Sequence, residues 1–366
     1  MNDPLDTALC RRLGCRFPII QTAMGWVARP ELVAASCNAG GFGFLAAAVM
    51  RADEVGAAIA RVRALTAQPF GVNFHMFQPG AERIVDILIA EKVTAVSFGR
   101  GPDKRMIARF RDAGIACVPT VGALKHARKM VELGVDMLVV QGGEGGGHTG
   151  SVASTVLLPQ VLDAVQVPVI AAGGFADGRG LAAALAYGAQ GIAMGTRFLM
   201  TRDCPVPQVT KERYTRASTD DILVTTKIDG IPQRMIRNET LARIERAGRA
   251  RMLLLALSSA WQMKRLTGAH IGELLGAARR MGHASELSFG QALMAAIAPV
   301  MFQRSMLAGQ PQQGLLATGL VAGRLADLPS CEELISNIVG EARGRLRQLA
   351  TGSVAGDAVG AGNYGS

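Results

Sequence analysis

Through the first two thirds of the chain, short apolar runs alternate with longer stretches in which apolar residues recur at helical spacing. The runs fall at 18–24, 41–46, 70–74, 95–99, 116–121, 137–142, 167–174 and 191–199. They are rich in Val, Ile, Phe and Ala and stop at glycine or polar residues, the pattern of strands buried on both faces. The stretches between them, 31–39, 53–67, 81–91, 104–113, 125–133 and 180–187, carry one apolar stripe each and read as amphipathic helices. Eight strands with interposed helices predict an α/β fold with a parallel sheet, and eight is the number that closes a (β/α)8 TIM barrel.

The ends of the runs support this. Met24-Gly25, Asn73, Gly99-Arg100, Thr120, Gln141-Gly142 and Gly173-Gly174 place glycine or polar groups at the C-terminal edge, where such barrels hold their sites. Past Leu199 the rhythm changes. Residues 225–237 read as an extended excursion, 241–303 as helical, and Ser330 with Glu333 as the cap of a closing helix over 332–349. The expected organisation is a barrel over 1–200 and 314–350, a mostly helical insertion or lid over 201–313, and a Gly/Ser/Ala-rich disordered tail over 351–366.

Composition narrows the class. The chain has 366 residues, 49% hydrophobic and 19% charged, enough to bury a large core. Six cysteines lie scattered without a C-x-x-C pair, so reduced thiols and no metal site are expected. A net charge of +10 would suit nucleic acid, but no basic helix stands out and aromatics are only 5%, so a phosphorylated small ligand is the better partner. The run 32–50 is too interrupted to span a membrane, and the first residues lack the basic start of a secretory signal, so a cytoplasmic location is expected. The oligomeric state is open, with a homodimer compatible.

The chemistry concentrates in two places. Gln141-Gly-Gly-Glu-Gly-Gly-Gly-His148-Thr-Gly150 empties a strand into glycines that let backbone approach a flat ligand closely. His148 is the one imidazole there and the candidate proton-transfer group; the alternative is that it hydrogen-bonds its own loop. Glu144 would either orient His148 or a substrate hydroxyl, or stand as a solvated carboxylate. The runs Val169-Ile-Ala-Ala-Gly-Gly-Phe175 and Gly191-Ile-Ala-Met-Gly-Thr-Arg197 end in the backbone N–H groups and hydroxyl that a phosphate needs, after strands seven and eight. Lys125 follows strand five and would stabilise an enolate or bind a phosphate, or face water on a first helical turn. His75 follows Asn73 by two and would line the same face or pack. His126, His270 and His283 receive no role.

The segments QTAMGW (21–26), NAGGFG (38–43), PFGVNF (69–74), QGGEGGGHTG (141–150), VIAAGGFADGRG (169–180) and AMGTRFL (193–199) resemble the nitronate monooxygenase (2-nitropropane dioxygenase) family of FMN-dependent barrels, which includes flavin-dependent enoyl-acyl-carrier-protein reductases. The resemblance implies FMN along Ala23, Met24 and Gly25, polar anchors at Asn73 and Gln141, Gly146 in the glycine loop, a phosphate held by Gly173, Gly174, Gly195 and Thr196, and Met194 as a further cofactor-binding residue. It makes His148 the catalytic histidine. Through MGWVA (24–28), VTTKIDGIPQR (224–234) and VAGRLADLPSCEELI (321–335) the chain is further similar to actinobacterial flavoprotein dehydrogenases of steroid ring C and D catabolism. That branch implies a coenzyme A thioester substrate. Arg100, Lys227, Arg234 and Arg237 would together grip its nucleotide, or each stand on a solvated face, and the reductase relatives make NAD(P) a candidate electron partner. Three functions follow from these residues: an FMN-dependent dehydrogenase or reductase of a cyclic thioester, a nitronate monooxygenase using dioxygen, or a flavin-binding subunit without turnover.

Overall fold

Alternation along each strand decides which side of the sheet a residue joins. Ile20, Ala95, Val139, Ile170 and Ala193 belong to one buried cluster, while Ile19, Val96, Val140, Ala171 and Ile192 belong to another. Both faces are therefore covered, one by side chains of opposing strands and the other by helices. The computed structural model describes residues 3–99, 101, 103–248 and 289–352.

In chain order the strands are β1 (Ile19–Gln21), β2 (Phe42–Ala46), β3 (Gly71–Asn73), β4 (Ala95–Ser97), β5 (Ala116–Cys117), β6 (Thr120–Val121), β7 (Leu138–Gln141), β8 (Gly147–His148), β9 (Val169–Ala172), β10 (Ile192–Met194), β11 (Ile222–Thr225) and β12 (Gln233–Ile236). The main sheet runs β5-β4-β3-β2-β1-β10-β9-β7-β6 with parallel pairings. Its two ends, β5 and β6, are halves of one extended stretch interrupted at Pro119, which has no N–H to donate. On one side Val118 N and Thr120 N donate to Val96 O and Phe98 O at 2.8 and 2.9 Å; on the other, Pro119 O accepts from Val139 N at 2.9 Å. One strand thus closes the sheet on itself. The result is the eight-stranded (β/α)8 barrel that the apolar runs predict. The helix Ala8–Leu13 sends Leu9 and Leu13 into the inner cluster beside Phe42 and Ala116, at the strand starts, and so plugs the N-terminal end.

Each predicted strand is present and shorter than its apolar run, because the first and last residues of a run serve as loop anchors. The run 191–199 divides: β10 ends at Met194 and Thr196–Leu199 is a short helix. The helix Ser154–Leu162 is absent from the sequence expectation because Pro159 lies inside it. The excursion at 225–237 is the second half of a hairpin. β11 and β12 pair antiparallel, and β12 also pairs with β8, setting Gln233 opposite His148 and Arg234 opposite Gly147.

The segment expected as a helical lid contains the helix Gln208–Thr215, that hairpin, and the helices Glu239–Arg246 and Phe289–Met306. Ile228, Met235, Leu241, Ile244, Leu293, Ile297, Met301 and Leu315 form a second core of their own. The rest of the predicted helical stretch, 249–288, and the predicted tail from 353 lie outside the described residues. The closing helix Cys331–Thr351 begins as expected: Ser330 Oγ accepts from Glu333 N at 3.1 Å and the Glu333 carboxylate accepts from Ser330 N at 2.8 Å. It packs against the helix Gly178–Tyr187. No helix among the described residues is long and apolar enough to cross a membrane.

Candidate active site

At the C-terminal ends of the strands the inward-facing positions turn polar, with Asn73, Ser97, Thr120 and Gln141 following apolar residues lower in the barrel. Above them lies a cavity of about 560 Å³, inside the range of roughly 300–1,000 Å³ typical of small-molecule sites. Ala23, Met24, Gly25, Asn73, Gln141, Glu144, Gly146, His148, Gly173, Gly174, Met194, Gly195 and Thr196 all line it, as does His75. Lys125 does not. It is exposed in the first turn of the helix Leu124–Glu132, where the sequence alternative had put it.

The glycine loop is clamped from two sides. Arg234 donates from Nη2 to Gly143 O at 2.5 Å and from Nε to Gly145 O at 3.2 Å. From the other side Leu320 N donates to Glu144 O at 3.0 Å, and a Cβ on Gly146 would stand 2.5 Å from the Thr318 carbonyl carbon. Glycine is required there by close backbone approach. The Glu144 carboxylate accepts from Ser154 N at 3.0 Å and Ser154 Oγ at 2.9 Å, so it caps the helix Ser154–Leu162 and does not reach His148. Ser154 Oγ also lies 3.0 Å from Gly173 O, which shares the same hydroxyl proton and couples this loop to the next.

Gly173 and Gly174 take φ of +95° and +82°, a turn that glycine adopts without strain and that leaves bare backbone at the cavity wall. Thr196 Oγ1 accepts from Gly319 N at 2.9 Å, which leaves the hydroxyl proton free to donate. Asn73 Nδ2 donates to Ser97 O and Gln141 Nε2 to His148 O, both at 3.0 Å, fixing each amide so that its oxygen is the remaining acceptor.

His148 sits at the cavity edge with its side chain 47% exposed. Its Nε2 lies 2.6 Å from Asp229 Oδ2 and 3.1 Å from Gln233 Nε2. Burial opposes the charge on Asp229, yet hydrogen bonds from His148 and Gln233 outweigh it and hold the carboxyl below its ordinary range. Sequence reasoning missed Asp229 and Gln233; their signal was the run KIDGIPQR, read as an extended, basic excursion and as a resemblance motif, with no role given to its carboxylate or amide. Two of those basic residues are occupied. Lys227 Nζ donates to Ile244 O, Glu245 O and Ala247 O at the end of a helix, and Arg234 holds the glycine loop. Arg237 is exposed, while Arg100, His270 and His283 lie outside the described residues.

The far wall is apolar. Trp26 stacks on Phe302 with centroids 6.1 Å apart and planes at 16°. Trp26 does so from φ +61°, a conformation a bulky side chain adopts only at a cost of about 1–3 kcal/mol. Ala295, Ala298, Pro299, Phe302 and Met306 line the cavity from one face of the helix Phe289–Met306, at spacings of three and four.

Comparison with known proteins assigns the family. The family model described as nitronate monooxygenase matches residues 6–341. The chain belongs to the nitronate monooxygenase family. Two curated relatives carry the name (3aS,4S,5R,7aS)-5-hydroxy-7a-methyl-1-oxo-octahydro-1H-indene-4-carboxyl-CoA dehydrogenase. The one from Mycobacterium tuberculosis is 49% identical over 338 residues, 92% of this chain and 95% of the relative. The one from Rhodococcus jostii is 45% identical over 345 residues, 94% of this chain and 98% of the relative. Among solved structures, FabK from Thermotoga maritima superposes with a TM-score of 0.74 at 30% identity, covering 94% of this chain and 98% of that one. This member of the nitronate monooxygenase family is an FMN-dependent oxidoreductase on a TIM barrel.

Proposed function

We propose that this enzyme dehydrogenates or reduces a cyclic coenzyme A thioester, with FMN in the cavity and His148 moving the proton. The observation that carries the reading is the pairing, across one cavity, of a carboxylate-held imidazole with an aromatic wall shaped by Trp26 and Phe302. The residues fit FMN. Ala23, Met24 and Gly25 would lie along the ring, and Asn73 and Gln141 would offer amide oxygens to its N–H groups. Gly173, Gly174, Gly195 and Thr196 would take the phosphate through bare backbone N–H groups and one free hydroxyl proton. Met194 ends β10 beneath them. Bound FMN supplies a two-electron acceptor or donor.

The chain's own residues do the rest. A hydrogen next to a thioester or ketone carbonyl is acidic, and an imidazole can take it near neutral pH. The apolar wall would hold fused hydrocarbon rings and exclude water from the reacting carbon. Glu144 and Arg234 keep the glycine loop in place and handle no proton. The two relatives named as indene-carboxyl-CoA dehydrogenases support a bicyclic thioester. NAD(P) as the electron partner is a separate proposal, tested by reoxidation of the reduced flavin with NAD(P)+.

The segment 201–313, with its second core, is proposed to act as a lid that carries the aromatic wall over the barrel. The test is His148→Ala. The variant is expected to retain FMN and to lose about 100-fold or more in anaerobic flavin reduction. Full turnover would dismiss His148 as the base. A nitronate monooxygenase reading rests on the family model, and it would require that propyl nitronate reduce the flavin faster than the thioester.

A further inference from the structure

The geometry points to Asp229 as the positioning residue that fixes the tautomer of His148 and makes Nδ1, not Nε2, the proton acceptor. The inference rests on His148 being the base, as proposed above, and adds which nitrogen acts and what holds it. An ionised carboxylate only accepts hydrogen bonds. At 2.6 Å from Asp229 Oδ2, a bare Nε2 would set a lone pair against that charge, so Nε2 carries the hydrogen and donates. The Gln233 amide nitrogen, 3.1 Å from the same Nε2, cannot then donate to it, which frees its N–H for the Asp229 carboxylate that it helps keep ionised. Nδ1 keeps its lone pair, has no hydrogen-bond partner among the described residues, and belongs to a ring that lines the cavity.

The hairpin builds this arrangement. β12 pairs with β8 so that Gln233 stands opposite His148, and Asp229 lies in the loop just before β12. Asp229 Oδ1 accepts from Ile231 N at 3.1 Å, which settles which oxygen faces the ring. The imidazole thus projects from the barrel's glycine loop, while its proton is placed by an element inserted after the eighth barrel strand. In the step assigned to it, the C–H bond beside the carbonyl breaks and the proton goes to Nδ1. The electron pair stays on the substrate as an enolate, and the imidazolium keeps its Nε2–H on Asp229.

Asp229→Asn is a demanding test because Ile231 N still requires an oxygen at the Oδ1 position. The amide NH2 must then face His148 and donate to Nε2, which drives the hydrogen to Nδ1. Two readouts on the FMN-loaded protein decide. In imidazole 15N spectra, with the His148 signals assigned by loss in His148→Gln, wild type is expected to show Nε2–H and bare Nδ1, and Asp229→Asn the reverse. In anaerobic mixing with the indene-carboxyl-CoA thioester and with propyl nitronate, the variant is expected to lose about 100-fold in limiting flavin reduction. Its FMN content and substrate Kd should match wild type. A wild-type spectrum with the hydrogen on Nδ1 overturns the inference whether or not the variant folds. A variant with undiminished reduction overturns it as well. If His148→Ala reduces flavin at the wild-type rate, the parent reading fails while the spectra still report on the Asp229 contact.

Discussion

Lys211 shows how far one buried side chain can be committed to backbone. The residue is 6% exposed, and its ammonium donates to Thr201 O at 3.1 Å, Arg202 O at 3.3 Å and Cys204 O at 3.1 Å, just beyond the helix that carries Thr196. Lys211→Met strands these acceptors and is expected to cost about 2 kcal/mol in denaturant unfolding; no loss would mean that water replaces the ammonium. Asp229 allows a pH argument. Its folded carboxyl titrates below the ordinary range, so its contribution is present above the unfolded value of about 3.9 and is lost as pH falls through the folded value. The melting-temperature advantage of wild type over Asp229→Asn should therefore shrink from pH 5 downward. A gap that widened on acidification would contradict the ionised pair. At this scale the sequence named His148 but not its partner, because the two are 81 positions apart and only strand pairing joins them.

Elements, more than single residues, shape the substrate side of the cavity. The helix Phe289–Met306 delivers its cavity face at helical spacing, and Phe302 meets the strained Trp26 across the gap between barrel and insertion. Phe302→Ala removes a large apolar contact, for which burial is worth roughly 1.5–3 kcal/mol. Binding of the bicyclic thioester should weaken about 10- to 100-fold, with little change for propyl nitronate, as judged by Kd for each. Equal losses for both would mean that the wall serves the fold alone. The pattern 241–303 was legible as helical where it can be compared, yet not which face it turns to the site. Small residues such as Ala295 and Ala298 read as ordinary helix formers until the cavity gives them a side. The hairpin was legible only as extended chain, since four-residue strands carry little periodicity.

For the whole molecule, the barrel was legible because eight apolar runs recur with helical stretches between most of them, and the glycines at strand ends mark the face that carries the site. The closing helix completes the ring across a tight contact. A Cβ on Gly178 would stand 2.5 Å from Ile338 O and Ala342 N. Gly178→Val is expected to destabilise the fold by about 1–3 kcal/mol through overpacking, measured by chemical unfolding of the FMN-loaded protein. An unchanged midpoint would show that the helices can separate at little cost. What composition could not carry was the division of labour among charges: Arg234 and Lys227 looked like ligands for an anionic substrate and instead fasten the glycine loop and a helix end.

The central claim is that one cavity joins FMN, a carboxylate-held base and a wall for fused rings. Anaerobic mixing of the FMN-loaded enzyme with the indene-carboxyl-CoA thioester tests it most directly, with propyl nitronate as the comparison. The thioester is expected to bleach the flavin, and His148→Ala to stay yellow on the same timescale. Bleaching by propyl nitronate alone would contradict the thioester assignment, and bleaching of His148→Ala at the wild-type rate would contradict the base.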